Sequence, residues 1–362
     1  MAVASFKNNP NIQAAYSDSG EWVPGISDVD ITIVYNNRIE NRVAVQSPWS
    51  LSEKAKYLFL HTYGSYNEES FRHFYYLSPD KVNLRLLYGK DVPILNPRKE
   101  LSLKDYKFLN AMLIFDFLVQ KLLFYPRQLM VKKQDARRLL GEIHSITYTL
   151  TMMEAITGEQ MGRDFSIKIK RLRKNWFNEG REKNLRELAS LLKEGVDLIL
   201  DIVIQLNDFI KSQSLPADSR IILKNRRYYI IFDEEWSKEK FLQSFFKGYL
   251  VLKNPYSKRA VENFKLVLPP HLSYFLMAYA NYHGPLSDWI KGGLLNYKKS
   301  ENFFIPDGME KHIVSTNNFV RADIKNNGLF RISFPYGLLT GKRTMTSKIG
   351  ERLILFLRSI KK

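Results

Sequence analysis

The sequence predicts an α+β chain in three parts: an N-terminal mixed β-sheet with helices, a central helical bundle and a C-terminal mixed α/β module. Three observations carry the prediction. Over residues 1–100, short β-branched and aromatic runs alternate with turns and one helical stretch. Over residues 101–214 the apolar positions switch to a 3.6-residue period. Over residues 215–362 strand and helix patterns mix again, beyond a stretch of linker composition at Ser212–Ser219.

In chain order, residues 12–16 predict a short extended segment and Ser17 to Gly25 a turn-rich stretch. Val29–Tyr35 is dense in β-branched residues and predicts a core strand. Residues 51–62 predict a helix, and Phe71–Leu77 and Val82–Leu87 predict strands separated by Ser78, Pro79 and Asp80. Ser102 is a candidate N-cap for a helix running to about residue 124, with Pro126 as its stop. Helices follow at about 132–157, 164–177 and 182–212, and four helices with short connections predict a bundle. Ile221–Phe232 predicts a hairpin around Asn225, followed by helices at about 238–247, 270–282 and 346–360. The sequence shows no internal repeat.

With no cysteine, the chain has neither disulfides, nor zinc–thiolate sites, nor a cysteine nucleophile, which suits a reducing cytoplasm. The first residues lack the apolar core of a secretory signal. No apolar run reaches the 18 or so residues of a membrane span, so a cytoplasmic protein without a transmembrane segment is expected. The net charge of +18 is unevenly spread: residues 1–100 are neutral, 101–214 carry +5 and 215–362 carry +13. A basic field of this kind attracts polyanions, whether RNA, DNA or an anionic membrane surface, and nucleic acid is a candidate partner through the C-terminal region.

The chemistry-bearing feature is Asp28 with Asp30. At i and i+2 on a strand, the two carboxylates share a face, and a hard divalent cation relieves their repulsion. Mg²⁺ takes one or two protein carboxylates together with the phosphates of its substrate, and Mn²⁺ can substitute for it. Upstream, Ser17, Ser19 and Gly20 offer hydroxyls and backbone N–H groups to triphosphate oxygens.

The span from Ala15-Tyr16-Ser17 to Ser27-Asp28-Val29-Asp30-Ile31 resembles the fingerprint of the polymerase-β-type nucleotidyltransferase superfamily. That pattern is a Gly-Ser turn followed by Ser-Asp-hydrophobic-Asp-hydrophobic on a strand. Leu86 to Asp91 is similar to a phrase that closes the catalytic domain in bacterial members. The resemblance implies a nucleotidyltransferase-like domain over residues 1–100, a helical bundle over 101–214 and a basic domain of unknown type over 215–362. It also implies a function: Mg²⁺-dependent transfer of a nucleoside monophosphate from an NTP, ATP foremost, to a hydroxyl acceptor that the sequence does not identify. Asp28 and Asp30 would hold the metal, while Ser17, Ser19, Gly20 and Ser27 would bind nucleotide. Two departures stand out. Tyr16 replaces the glycine of the turn, and the third acid of transferring members has no match on a later strand, where His73 is the candidate base in its place. The alternative is a catalytically degenerate member acting as a nucleic-acid-binding or antitoxin-like interaction protein.

Two further patterns lie in the bundle. Arg138 and His144 resemble the Arg-x₄₋₆-His motif of the HEPN ribonuclease family. The run from Lys168 to Phe177 either contacts phosphates, with Trp176 and Phe177 as stacking surfaces, or is a solvated face whose aromatics bury in the bundle.

Overall fold

Two four-stranded sheets organise the chain. The computed structural model describes residues 6, 9–18, 22–36, 52–59, 63–78, 83–129, 136–215, 221–225, 228–243, 264–295, 297 and 303–327. In the first sheet β1 (Ile12–Asp18) pairs antiparallel with β2 (Ile31–Tyr35) on one edge and with β4 (Leu84–Gly89) on the other. Strand β3 (Gly64–Asn67) lies parallel to β2, giving the order β3-β2-β1-β4. A parallel neighbour requires a crossover, and helix α1 (Glu53–Leu58) lies within it. Side chains of β2 alternate between two cores. Ile31, Ile33 and Tyr35 pack with Phe6, Phe59 and Tyr63, whereas Val34 packs with Ala14, Tyr16, Phe71 and Phe74.

Phe71–Leu77, expected as a strand, is helical: α2 (Glu68–Arg72) and α3 (Phe74–Leu77) occupy it. The aromatics suggest β structure, but the Asn67 side chain accepts a hydrogen bond from the Ser70 amide at 2.8 Å and caps a helix with Glu68 and Glu69 in its first turn. The parallel neighbour of β2 is instead Gly64–Asn67, just beyond the stretch 51–62 expected to be helical, in which α1 lies. Strand β4 ends at Gly89, whose φ of +84° and closeness to the Gln13 carbonyl oxygen leave no room for a Cβ.

The bundle follows expectation. After α4 (Pro97–Glu100) come α5 (Leu103–Leu129), α6 (Ala136–Thr157), α7 (Arg163–Asn175) and α8 (Arg181–Ser212). Ser102 caps α5 by accepting from the Asp105 amide at 3.1 Å. Helix α5 runs to Leu129, past the stop expected at Pro126.

The second sheet repeats the topology of the first. The hairpin β5 (Ile221–Asn225) and β6 (Tyr228–Phe232) is antiparallel, β7 (Phe264–Leu268) lies parallel to β6, and β8 (Leu294–Leu295) pairs antiparallel with β5. The order β7-β6-β5-β8 thus matches β3-β2-β1-β4 strand for strand. The connections match as well: a helical turn at 238–243 precedes β7, helices α9 (Ser273–Asn281) and α10 (Pro285–Gly293) precede β8, and the long α11 (Asp307–Asn327) follows it as α4 and α5 follow β4. The duplication is hidden in the sequence because β2 reads ITIVY and β6 reads YYIIF, so only apolar character is shared. Expected helix at 244–247 and 346–360 lies outside the described residues.

The two long helices are exchanged between the sheets. Phe115 of α5 meets Phe232 of β6 and stacks on Phe275 of α9, with ring centroids 4.9 Å apart in the latter pair. Reciprocally, Phe319 of α11 lies 4.8 Å from Tyr66 of β3 and completes the core of the first sheet. Helices α5 and α11 pack closely enough that a Cβ at Gly308 would overlap the Asp105 carbonyl oxygen. The largest cluster of buried apolar side chains accordingly runs from Val23 and Ile26 through the bundle to Val320, crossing all three expected segments. Among the described residues, no helix is long and apolar enough to cross a membrane.

Where the exchanged helices meet, four polar side chains are buried together. His312 Nε2 of α11 lies 2.9 Å from Asp116 Oδ2 of α5. The Tyr279 hydroxyl of α9 donates to the same Asp116 oxygen at 2.5 Å and lies 3.0 Å from His312 Nε2. Thr316 flanks the imidazole, and His312 Nδ1 lies 2.7 Å from the Tyr76 carbonyl of α3. A carbonyl can only accept, so Nδ1 carries the proton that meets Tyr76. Burial, then the Asp116 charge, drives the Tyr279 hydroxyl well above its ordinary pKa and keeps it a donor. Removing one member of such a set strands the others without water. Asp116→Ala is therefore expected to lower unfolding free energy by about 3–5 kcal/mol, measured by denaturant titration. A joint replacement of Asp116 and His312 by apolar residues should cost less than the sum of the two single replacements.

Candidate functional site

The segment that leads to Asp28 and Asp30 is a turn fixed from behind by the bundle. Val23 and Ile26 are buried in the main core. The Ile26 and Ser27 amides both donate to the Val23 carbonyl, at 3.1 and 2.9 Å, and Gly25 adopts φ +76°. Two buried arginines grip the turn. Arg137 of α6 donates from Nε to the Ile26 carbonyl and from Nη2 to the Ser27 carbonyl, both at 2.9 Å, and from Nη1 to the Tyr57 carbonyl. Arg173 of α7 donates from Nη2 to Ser27 Oγ at 2.9 Å. A guanidinium is costly to bury, and the fork of Arg137 recovers that cost by satisfying three carbonyls at once. Ser27, expected to bind nucleotide, spends its hydroxyl inside the turn, where Oγ also accepts from the Val23 amide at 2.9 Å.

Asp28 and Asp30 are half-buried and lie just before β2, which begins at Ile31. The Val29 amide donates to the Leu58 carbonyl at 2.9 Å, and Val29 packs with the Ile31 and Ile33 core. Within β2 the alternation puts Thr32 and Val34 on the face of Tyr16, and the aspartates lie where the chain enters that strand. On β3 the residue opposite Thr32 is Gly64 and the one opposite Val34 is Tyr66. No residue of Gly64–Asn67 is an acid, so this strand supplies no third carboxylate. Among the described residues no group of three or more His, Cys, Asp or Glu side chains is placed to hold a metal. The two carboxylates still fit Mg²⁺ brought in by a triphosphate, because that ion needs only one or two from the protein.

The remaining expected residues separate. Ser17 is not in a turn: it lies within β1, pairs with Ile31 of β2 and falls on the face opposite Tyr16. Ser19 and Gly20 lie outside the described residues. Tyr16, standing where the turn glycine is expected, is a buried strand residue. Its hydroxyl donates to Asp91 at 2.8 Å and accepts from the Val92 amide at 2.7 Å, and its ring stacks on Phe71. His73 is not a strand residue but the junction of α2 and α3, with Nδ1 3.0 Å from the Glu69 carbonyl. It lines a cleft of about 460 Å³ with Glu68, Glu69, Arg72, Pro93 and Leu95. The Leu95 amide donates to the Arg72 carbonyl at 2.8 Å, and Leu95 follows the end of β4, where Gly89 pairs with Ala14. Ser17, Ile31 and the aspartates are at the other end of the sheet, so His73 is not brought to them.

Arg137 and Tyr57 are site residues that the sequence did not disclose, and Arg173 and Phe177, visible there only as part of the basic run, belong to this turn as well. Tyr57 donates its hydroxyl to the Gly25 carbonyl at 2.7 Å while its ring faces the Arg137 guanidinium at 4.4 Å. Phe177 lies against Gly25 so closely that a Cβ there would be 2.8 Å from its ring. The only sequence signal for Arg137 was its neighbour: Arg138 is exposed, and six residues on a helix separate it from the face of His144. His144 is packed beside the site. Burial first, then the charges of Arg173 and Lys170, hold its pKa down at about 3. An unfolded histidine titrates near 6.5, so the unfolded chain takes up this proton first. Stability is thus unaffected above that pH and falls as pH drops from about 6.5 toward about 3. His144→Gln should flatten that portion of the pH–stability curve measured by thermal denaturation, and an unchanged acid limb would contradict this assignment.

Comparison with known proteins adds no relative: no family model, no curated protein and no solved structure matches this chain.

Proposed function

We propose that the chain binds an Mg²⁺–nucleoside triphosphate, ATP foremost, at Asp28 and Asp30 and transfers the nucleoside monophosphate to an acceptor hydroxyl. The observation that supports this reading is that Asp28 and Asp30, two residues apart, lie at the entry to a central strand and directly follow a turn that two buried arginines hold. Asp28 and Asp30 would hold the ion. When bound, it supplies Lewis-acid polarisation of the α-phosphate. Arg137 and Arg173 keep the turn from moving, so the carboxylates need no reorganisation when the triphosphate arrives. In the reaction the acceptor oxygen forms a bond to the α-phosphorus as the bond to the bridging oxygen breaks. Pyrophosphate leaves with that electron pair, and the hydroxyl proton passes to solvent.

A second reading is favoured by strand β3, Gly64–Asn67, which pairs with β2 and contains no acid. In it the chain keeps nucleotide or nucleic-acid binding without turnover and acts as an interaction protein of antitoxin-like type. The joint substitution Asp28→Asn with Asp30→Asn tests the site. Mg²⁺-dependent ATP binding, followed by calorimetry, should be lost, and pyrophosphate release in the presence of an acceptor panel should fall by about a thousandfold, the scale of several kcal/mol of metal assistance. Binding without any pyrophosphate release by the parent chain selects the second reading. The absence of both overturns the site.

A further inference from the structure

Helix α7 carries an exposed stripe that runs to the turn before the aspartates. Ile167, Lys170, Lys174 and Phe177 follow one another at three- and four-residue spacing, which places them on one side of the helix and its C-terminal turn. Ile167 is 55% and Phe177 68% exposed, and both lysines are exposed. The flank of α7 that faces α8 is different: Lys168 pairs with Glu194 at 3.0 Å and Arg171 with Glu187 at 2.7 Å. Among the described residues no ion pair is formed by Lys170 or Lys174. The buried positions of the same helix, Phe165, Ile169, Leu172 and Arg173, fix its rotation, so the stripe is held outward.

The stripe ends on a cluster of exposed rings. Phe177 rests on Gly25, Tyr57 hydrogen-bonds the Gly25 carbonyl, and Trp22 lies three residues before it, with Tyr57 51% and Trp22 55% exposed. Flat aromatic faces beside uncompensated lysines match the two halves of a single-stranded polynucleotide, whose bases stack and whose phosphates seek cations. An anionic membrane surface fits less well, because the Tyr57 ring is fixed by its bond to the Gly25 carbonyl and by the Arg137 guanidinium against it, which suits stacking of a base more than insertion among lipid tails.

We propose that Lys170, Lys174 and Phe177, with Tyr57 and Trp22, form a binding surface for single-stranded nucleic acid. The proposal rests on the nucleotidyl-transfer reading only in naming that strand as the acceptor; the binding itself does not require turnover.

Binding of short fluorescein-labelled oligo(rA) and oligo(dA) strands to the full chain, followed by fluorescence anisotropy across a salt series, tests it. The two strands report whether the 2′-hydroxyl is read. The parent chain should bind with strong salt dependence and should prefer the single strand to a duplex competitor. Lys170→Glu with Lys174→Glu should weaken binding by at least about tenfold and reduce the slope of log affinity against log salt by about 1.4, at about 0.7 for each phosphate contact. Phe177→Ala should weaken binding by about five- to a hundredfold, and Phe177→Trp should retain it. These residues are exposed, so unchanged thermal unfolding of each variant is the accompanying check. Asp28→Asn with Asp30→Asn should leave strand binding intact, which separates the two ideas. Strand binding without pyrophosphate release removes the acceptor role and keeps the surface. Mg²⁺–ATP binding without strand binding removes the surface. Affinity unaltered by the lysine and phenylalanine substitutions overturns the proposal, as does binding to phosphatidylserine vesicles in place of the strands.

Discussion

The buried contact between Asp116 and His312, with the Tyr279 hydroxyl and the Tyr76 carbonyl around it, is the one on which the remaining architecture depends. Its members come from α5, α11, α9 and α3, hence from residues 1–100, 101–214 and 215–362 alike. Each group is satisfied only when all four elements are in place, so the knot rewards one arrangement of the helices and penalises alternatives. Apolar packing alone specifies less, since cores accept many arrangements of similar volume. The exchange of α5 and α11 between two sheets of the same topology gives this knot its position, at the crossing of the two exchanged helices.

The same dependence reaches the candidate site. The turn before Asp28 is held by Arg137 and Arg173, which belong to the bundle, and the bundle is fixed through α5 to the knot. An acidic pair on a solvated loop would wander, whereas here it is presented by a segment whose carbonyls are clamped. The first sheet bears the acidic pair at the entry to β2, while the corresponding approach to β6 carries Asn225 and Arg227 in sequence. The two units thus differ in charge at this position where they agree in topology.

Much of the fold was legible because local pattern and tertiary role agree there. The bundle helices declare themselves through a long 3.6-residue period, and β2 and the β5–β6 hairpin through β-branched density. Failures came where distant contacts decide. Strand β3, Gly64-Ser65-Tyr66-Asn67, has little strand propensity and forms because β2 offers it a partner. The aromatics at 71–77 favour strand by type, yet Asn67 caps a helix over them. At the site the aspartates were visible as a spaced pair, but the grip on them was not: Arg137 and Arg173 reach Ser27 across 110 and 146 residues. Ser17 and His73 were misplaced for the same reason, since strand register and a helix cap decide which end and which face of the sheet they occupy.

If the knot joins all parts into one cooperative unit, the chain cannot unfold in stages. Denaturant titration followed both by tryptophan fluorescence, with Trp22 and Trp176 near the turn and Trp236 beside the second sheet, and by far-ultraviolet circular dichroism addresses this directly. The account predicts coincident transitions with one midpoint. Two separated transitions, with the first sheet lost while the bundle persists, would contradict it.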